Sequence, residues 1–285
     1  IFAGSRKAGK VHGLIDQDGD AYAETVLVLA EDLTMPSGLA IRGNDLYIAA
    51  LSDVLKISNI DQRLNQLKDP EIIYRGFPNK RHHGWKFIDF GPDGLLYVPV
   101  GAPCNICLSD NPVFASIQTL DVTAQPMIPQ TFASGVRNSV GFTWHPETGH
   151  LWFTDNGRDL LGDERPPCEL NEASQRGQHF GYPFIHGSSI ADPKFGKKLG
   201  KLQTTAPILE LGPHVAPLGI AFYEGDQFPT DYRQQLFIAE HGSWNRSTSV
   251  GHTGYRISIA RQTSRGLEYD TFIDGWLQDN KAWGR

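Results

Sequence analysis

Four stretches of the chain share one pattern of hydrophobic and polar positions. Each stretch has an apolar segment, a turn rich in Asp, Gly or Pro, and a second apolar segment that carries an aromatic residue. The four stretches are residues 38–48, 87–98, 142–153 and 219–238. Strand-forming residues on both sides of such a turn predict a β-hairpin. One hairpin repeated along a chain is typical of a β-propeller.

The spacing of the repeats fits propeller blades. The aromatic residues of the second strands follow one another at intervals of 50, 55 and 85 residues and are Tyr47, Tyr97, Trp152 and Phe237. An interval of about 50 residues corresponds to one four-stranded blade. The long last interval predicts a loop insertion over about residues 155–217, and loops of that length commonly carry function.

The pattern predicts one domain that includes the whole chain. We expect a single propeller over residues 1–285, truncated at both ends, because the pattern begins and stops within a blade. Such a propeller would have unpaired sheet edges. A complete five-bladed propeller with short termini is the alternative.

Composition agrees with an all-β domain and narrows the function classes. The chain has 30 Gly, 18 Pro and a net charge of −6, which does not fit the basic surface expected of a nucleic-acid-binding domain. The only basic run, residues 194–201, needs no ligand as a solvated loop. No apolar stretch approaches the length of a membrane span.

Two of the three cysteines are close neighbours in sequence. Cys104 and Cys107 lack the second pair that a zinc site needs, and Leu108 stands where haem attachment requires His. A local disulfide is the favoured interpretation and fits an oxidising compartment. A pair of reduced thiols is the alternative, and Cys168 is expected to be free.

Six motifs then occur in order along the chain. They are Arg-His-His-Gly-Trp-Lys (81–86) followed by Phe-Gly-Pro-Asp-Gly (90–94), Ser-Gly-Val-Arg-Asn (134–138), Thr-Asp-Asn-Gly-Arg (154–158), Pro-Cys-Glu-Leu-Asn (167–171), Phe-Gly-Tyr-Pro (180–183) and Glu-His-Gly-Ser-Trp-Asn-Arg (240–246). This series resembles the soluble quinoprotein sugar dehydrogenases, the glucose/sorbosone dehydrogenase-like family, and most closely the sorbosone dehydrogenase-like branch.

The resemblance implies a fold, cofactors and a reaction. It implies a six-bladed β-propeller, with about five blades in this chain, that binds pyrroloquinoline quinone (PQQ) and Ca²⁺ at one end of its central channel. The family oxidises the C1 hydroxyl of an aldose or a related polyol or aldehyde hydrate. The implied partners are a small-molecule sugar and a separate electron acceptor, and the implied location is periplasmic or secreted.

The reaction needs a base that removes the hydroxyl proton, and neutral imidazole suits this task. The family's base aligns with His83, and its neighbour His82 is the competing residue. Two histidines on a polar loop are the alternative without function. The flanking motifs favour the catalytic interpretation of His83.

The resemblance also assigns a cation and an amide to the cofactor. Arg137 matches the position that stabilises negative charge as the quinone accepts hydride, and Asn138 is its amide partner. A guanidinium suits the carboxylates of the cofactor as well. An Arg in a surface turn is the alternative.

Two calcium sites are implied. Backbone carbonyls around Gly157 and Arg158 would hold the cofactor calcium, and Gly157 is expected to have a positive φ. A structural calcium is suggested at Glu169, although Cys168 replaces the family's acidic residue there. Asp163 and Glu164 are candidate replacements for that ligand.

Four further residues are assigned to the cofactor by the resemblance. They are His214, His241, Arg246 and Arg285, and Trp244 is a candidate to stack on the cofactor or the sugar. A tryptophan packed over the rim is the alternative for Trp244.

Two other functions fit a propeller. A calcium-dependent lactonase or other hydrolase needs side-chain carboxylates and amides around one axial calcium, and only Asn138 and Asp155 are good candidates. A non-catalytic binding protein would leave His83, Arg137 and Arg246 unexplained. A pocket that gathers a His and two Arg, rather than carboxylates alone, would favour the dehydrogenase.

Overall fold

The computed structural model describes residues 1–62, 64 and 69–284, and this part of the chain is built from strands and three short 3₁₀ turns without an α-helix. The first twelve strands are β1 Phe2–Ser5, β2 Lys10–Ile15, β3 Thr25–Ala30, β4 Gly38–Arg42, β5 Asp45–Ala49, β6 Asp53–Ile57, β7 Glu71–Arg75, β8 Asp89–Phe90, β9 Leu96–Val100, β10 Ser116–Leu120, β11 Gln130–Ser134 and β12 Phe142–Trp144. The remaining strands are β13 Leu151–Asp155, β14 Pro167–Ala173, β15 Gln178–His179, β16 Ile185–His186, β17 Ile190–Ala191, β18 Leu209–Pro213, β19 Pro217–Phe222, β20 Leu236–Glu240, β21 Arg256–Thr263, β22 Gly266–Ile273, β23 Leu277–Gln278 and β24 Lys281–Ala282.

These strands form five principal sheets and two small hairpins. The sheets have the orders β1-β2-β3, β4-β5-β6-β7, β15-β11-β10-β9-β8, β12-β13-β14-β18 and β19-β20-β21-β22. The four predicted hairpins are confirmed as the β4–β5, β8–β9, β12–β13 and β19–β20 pairs. In the first of them Arg42 pairs with Asp45, and Gly43 in the two-residue turn has a φ of 59°, a conformation that glycine adopts without strain.

The core lies between successive sheets. Leu46 and Ile48 of the second sheet pack against Val11 and Leu29 of the first. The same contact recurs further along the chain, where Phe142 and other residues of the fourth sheet cluster with the third. Sheets that pack face to face in chain order form an all-β propeller. The total of six blades stays a prediction.

Residues 155–217 contain more regular structure than a loop insertion. Strands β14 and β18 complete the fourth sheet, β15 joins the third sheet, and β16 and β17 form a hairpin. Strand β14 was not predicted as a strand from the sequence. Its polar residues Glu169 and Asn171 are buried, as is the apolar Leu170 between them. The prediction of a long loop was therefore wrong for much of this range.

Within the described residues, no helix has the length and hydrophobicity needed to cross a membrane.

Candidate active site

Loops from all five sheets meet at one cavity of about 380 Å³. The structure brings six of the sequence-predicted residues to its wall: His83, Arg137, Asn138, Gly157, His214 and His241. The loops at the ends of strands are the elements of a propeller that converge on one pocket, and they carry these side chains.

His83 lies in the β7–β8 loop with an unusual backbone conformation. Its φ is 49°, which non-glycine residues seldom adopt outside functional or tightly constrained sites. Gly101 faces it so closely that any side chain at Gly101 would collide with the His83 Cβ and carbonyl. His82 also lines the cavity, with its ring centroid 4.1 Å from that of His83, but it is exposed at the mouth.

The surroundings of His83 keep its imidazole neutral. The pKa of His83 is lowered from 6.5 to about 3, mainly by burial; the positive charges of Arg137 and His82 act in the same direction, and the hydrogen bond to Ala102 acts in the opposite direction. Nδ1 lies 2.9 Å from the Ala102 carbonyl oxygen. A carbonyl only accepts hydrogen bonds, so Nδ1 carries the proton and Nε2 is the basic nitrogen.

Arg137 is a buried cation held by four hydrogen bonds. Its Nε and Nη2 donate to the backbone oxygen and the Oδ1 of Asn105 at 2.9 and 2.8 Å. Its Nη1 donates to the Asn156 carbonyl at 3.0 Å, and Nη2 also donates to the Asp159 carboxylate at 3.0 Å. A buried guanidinium with this many partners has a fixed orientation.

Asp155, the last residue of β13, fixes the backbone that carries Arg137 and Asn138. Its two carboxylate oxygens accept hydrogen bonds from the N–H groups of Arg137 at 2.7 Å and Asn138 at 2.6 Å. Burial raises the pKa of Asp155 to about 6, although these hydrogen bonds and Arg137 act to lower it. The carboxylate is thus used inside the protein and does not line the cavity.

Gly157 lines the cavity, but the structure requires glycine there for a different reason from the positive φ that was predicted. Gly157 is absent from the glycines with positive φ, so that expectation was wrong. A Cβ at Gly157 would collide with the Pro167 carbonyl, and this close approach of the β13–β14 loop to the first residue of β14 is what requires glycine. Its neighbour Arg158 points away, with Nη1 2.5 Å from Asp192. Asn156 and Gly157 thus lie at the cavity wall and Arg158 does not.

Glu169, the residue suggested to hold a structural calcium, is a buried carboxylate in β14. Its carboxylate oxygens accept hydrogen bonds from the N–H of Gly187 at 2.7 Å and the side chain of Asn171 at 3.1 Å. Burial and the nearby Asp155 raise the pKa of Glu169 to about 8. Asp163 and Glu164, the candidate replacements, instead contact Ser247 and Arg246. A metal at Glu169 stays a prediction.

The remaining predicted cofactor residues divide into three cases. His214 is buried at the cavity wall with a φ of 58°, and its Nε2 lies 2.8 Å from the Gly162 carbonyl oxygen. His241 also reaches the wall, and its backbone N–H donates to Ala216 at 3.0 Å. Arg246 does not line the cavity. Arg285 lies outside the described residues.

Arg246 is used to join two loops. Its guanidinium donates to the carbonyls of Gly251 at 2.7 Å and Asp163 at 2.9 Å and to the Glu164 carboxylate at 2.8 Å. These partners use three of its five guanidinium N–H groups, and Arg246 does not line the cavity, so its position does not support the expectation that it meets a cofactor. Its neighbour Trp244 is a wall residue and is 68% exposed.

Several residues of the cavity were missed by the sequence analysis. Arg6 and Arg81 line its mouth, and the guanidinium carbon of Arg6 lies 4.1 Å from the centroid of the Trp85 ring. Asp159 is the one carboxylate among the described residues of the wall. Only three-dimensional proximity identifies Arg6 and Asp159, since neither belongs to a motif that predicts function.

The described residues include one group of three or more His, Cys, Asp or Glu side chains whose ligand atoms lie within 4.8 Å of one another. It consists of the exposed Asp16, Asp18, Asp20 and Glu24 in the β2–β3 loop and contributes nothing to the cavity wall. The cavity is therefore rich in Arg and His and poor in carboxylates.

Known proteins are similar to this chain in sequence and in fold. Residues 49–243 match the family model of the glucose/sorbosone dehydrogenases. An uncharacterised protein of Borreliella burgdorferi is 34% identical over 291 residues, which cover 94% of this chain and 76% of that protein.

Solved structures show the same fold at lower identity. The holo form of the pyranose dehydrogenase PQQ domain from Coprinopsis cinerea superimposes with a TM-score of 0.71 at 19% identity, covering 93% of this chain and 73% of that one. A calcium structure of a Trichoderma reesei carbohydrate-active enzyme of family AA12 gives a TM-score of 0.71 at 22% identity, covering 95% and 77%. Because the family model spans more than half of the sequence, the chain belongs to the glucose/sorbosone dehydrogenase family.

Proposed function

We propose that the protein is a PQQ-dependent sugar dehydrogenase that oxidises the C1 hydroxyl of an aldose or a related, sorbosone-like aldehyde hydrate. The observation that carries this proposal is one cavity whose wall includes neutral His83 and cationic Arg137. Among the described residues of that wall, Asp159 is the one carboxylate. Family membership and the names of the structural neighbours point in the same direction. A separate molecule would accept the electrons.

The residues of the cavity fit a quinone that carries carboxylate groups. Arg137 and Asn138 at the wall and Arg6 and Arg81 at the mouth offer N–H donors to anionic oxygens. Of the five guanidinium N–H groups of Arg137, four have partners, which leaves one Nη1 hydrogen for a ligand. When bound, PQQ supplies the acceptor for a hydride from the sugar carbon, and Ca²⁺ at the Gly157 backbone would polarise it.

His83 is the proposed general base. Its Nε2 takes the proton of the C1 hydroxyl while Nδ1–H stays bonded to the Ala102 carbonyl, which holds the ring in one tautomer. A pKa near 3 in the ligand-free protein makes the imidazole neutral but weakly basic. Negative charge brought into the cavity by the cofactor would raise that pKa and strengthen the base.

Arg137 stabilises negative charge beside this base. Its orientation is set before a ligand binds, so little reorganisation is needed as charge develops on a bound oxygen. The same fixed positive charge keeps His83 unprotonated, since Arg137 contributes to its lowered pKa. The two side chains therefore act as a coupled pair.

A calcium-dependent hydrolase fits the cavity less well. Its axial ion would need several carboxylate or amide ligands, whereas Asp155 is turned onto the Arg137 and Asn138 amides.

The disulfide between Cys104 and Cys107 supports a periplasmic or secreted location for the dehydrogenase.

The test is reconstitution of the purified protein with PQQ and Ca²⁺. Binding is followed by absorbance or fluorescence titration, and turnover by dye reduction with a panel of aldoses and sorbosone. We expect saturable PQQ binding and sugar-dependent dye reduction that is lost in His83→Ala. His150→Ala is the matched control, because His150 lies outside the cavity against Glu172. Lactone hydrolysis without PQQ binding would replace this proposal with the hydrolase.

A further inference from the structure

We propose that Asn105, held in the loop closed by the Cys104–Cys107 disulfide, is a positioning residue for Arg137 and keeps its charge available to the cavity. Asn105 supplies two of the four acceptors of the Arg137 guanidinium, one from its backbone and one from its side chain. Its proposed consequence for cofactor binding rests on the proposed function. Its consequence for the mobility of Arg137 does not.

The loop is fastened on both sides of Asn105. A disulfide joins Cys104 and Cys107 across three residue steps, which restricts the conformations that the loop can adopt. The hydroxyl oxygen of Tyr182 accepts a hydrogen bond from the N–H of Cys107 at 3.0 Å and lies 3.6 Å from the Cys104 sulfur. The two bonds to Arg137 therefore start from a rigid support.

Asn105 also forms hydrogen bonds with Asp159, the carboxylate partner of the Arg137 guanidinium. Its Nδ2 donates to the Asp159 carbonyl at 3.0 Å, and its Oδ1 accepts from the Asp159 N–H at 2.8 Å. Because Asp159 in turn accepts from Arg137 at 3.0 Å, the three residues form a closed network. Loss of the Asn105 side chain would remove one of the four hydrogen bonds of Arg137 and both of the bonds by which Asn105 holds the backbone of Asp159.

The neutral amide matters as much as its geometry. Arg137 already has one carboxylate partner, Asp159, and a second carboxylate would give the cluster a net negative charge toward a ligand. Asn105 satisfies two guanidinium N–H groups without adding negative charge. It thus meets the requirement that buried donors be paired while it preserves the field on which an anionic cofactor depends.

The first test measures Arg137 in the ligand-free protein. The solvent exchange rate of its Nε–H is followed by ¹⁵N NMR in the parent, in Asn105→Ala and in Cys104→Ser/Cys107→Ser. Both variants keep the Asn105 carbonyl that accepts from Nε–H but loosen the loop and the guanidinium that it holds, so we expect exchange to quicken about tenfold in both. Asn111→Ala is the matched control, because Asn111 caps a turn of the same loop by accepting from Val113 and does not contact Arg137.

The second test measures PQQ affinity and melting temperature together. Asn105→Ala should raise the PQQ dissociation constant about tenfold, and Asn111→Ala should leave it within about twofold, with melting temperatures that stay within a few degrees of the parent. Asn105→Asp separates geometry from charge: it should keep the slow Nε–H exchange of the parent and still raise the dissociation constant.

The outcomes separate the two proposals. Parental Nε–H exchange in Asn105→Ala, or an equal change in Asn111→Ala, would overturn the positioning role even if the double serine variant fails to fold. A parent protein that binds no PQQ would instead overturn the proposed function, and the exchange measurement would still decide the role of Asn105.

Discussion

The cavity wall around Arg137 and the outer loop joint around Arg246 contain two arginines that look alike by ordinary measures. Each side chain is 5% exposed, and each bonds backbone carbonyls and one carboxylate. Yet Arg137 faces the cavity beside His83, whereas Arg246 joins the 163–164 segment to Gly251. Burial and hydrogen bonding thus do not distinguish the two arginines, whereas the surface that each one faces does.

The largest effect that follows from this comparison is the loss of turnover in His83→Ala. Removing a positioned base should slow sugar oxidation at least about 100-fold, while the PQQ dissociation constant stays within about threefold of the parent. Steady-state dye reduction and a cofactor titration measure the two quantities. Undiminished turnover would remove His83 from the mechanism and leave the cavity wall without a base.

Arg137→Ala should weaken cofactor binding itself. Loss of a charged donor to carboxylate oxygens costs about 1.5–3 kcal/mol, which is roughly a tenfold to hundredfold higher dissociation constant. Arg137→Lys should recover only part of the affinity, because an ammonium group cannot reproduce the planar array of donors. If both variants bind PQQ as the parent does, the cofactor binds elsewhere.

The stability of the protein should depend on pH through His83. The pKa is about 3 in the folded protein and 6.5 when the residue is exposed, so between these values the unfolded chain binds more protons. Stability from this residue is therefore full above pH 6.5 and falls as the pH falls toward 3. Relative to His83→Gln, the parent should lose at most about 3 kcal/mol by pH 4, measured by urea unfolding. A constant difference between pH 7 and pH 4 would contradict the buried, neutral imidazole.

The smallest effect should come from Arg246→Ala, which directly tests whether Arg246 differs from Arg137 in its effect on cofactor binding. We expect a loss of about 1 kcal/mol in the free energy of unfolding, because its three bonds join loops and Glu164 is largely exposed. PQQ affinity should stay at the parental value. A rise in the dissociation constant as large as that of Arg137→Ala would erase the distinction between the two regions.

The sequence predicted the parts of this protein that local pattern determines. The four hairpins follow from alternating apolar segments and turn residues, and the motifs placed His83 and Arg137 in loops that do meet. The Cys104–Cys107 disulfide and the free Cys168 also follow from spacing. These features depend on residues that are neighbours in the chain.

Features that depend on distant contacts were not accessible to sequence reasoning. Glycine is required at position 157 because the Pro167 carbonyl lies too close for a side chain. The proposed role of Asn105 depends on its hydrogen bond to Arg137, which is 32 residues away in sequence. Strand β14 was interpreted as part of a loop, since buried polar residues such as Glu169 are paired by partners far along the chain. The position of Arg246 outside the cavity was likewise not predicted, because Arg246 bonds to Asp163 and Glu164, which are distant from it in sequence.

The cavity also contains the protein's one free thiol. Cys168 lies at its wall, is 2% exposed, and burial raises its pKa to about 11, so it should react slowly with alkylating reagents at neutral pH. A bound molecule would slow the reaction further by covering the sulfur. The rate of alkylation of the unmodified protein is thus an occupancy signal, and ligands can be screened by mass spectrometry without a label, a dye or knowledge of the reaction.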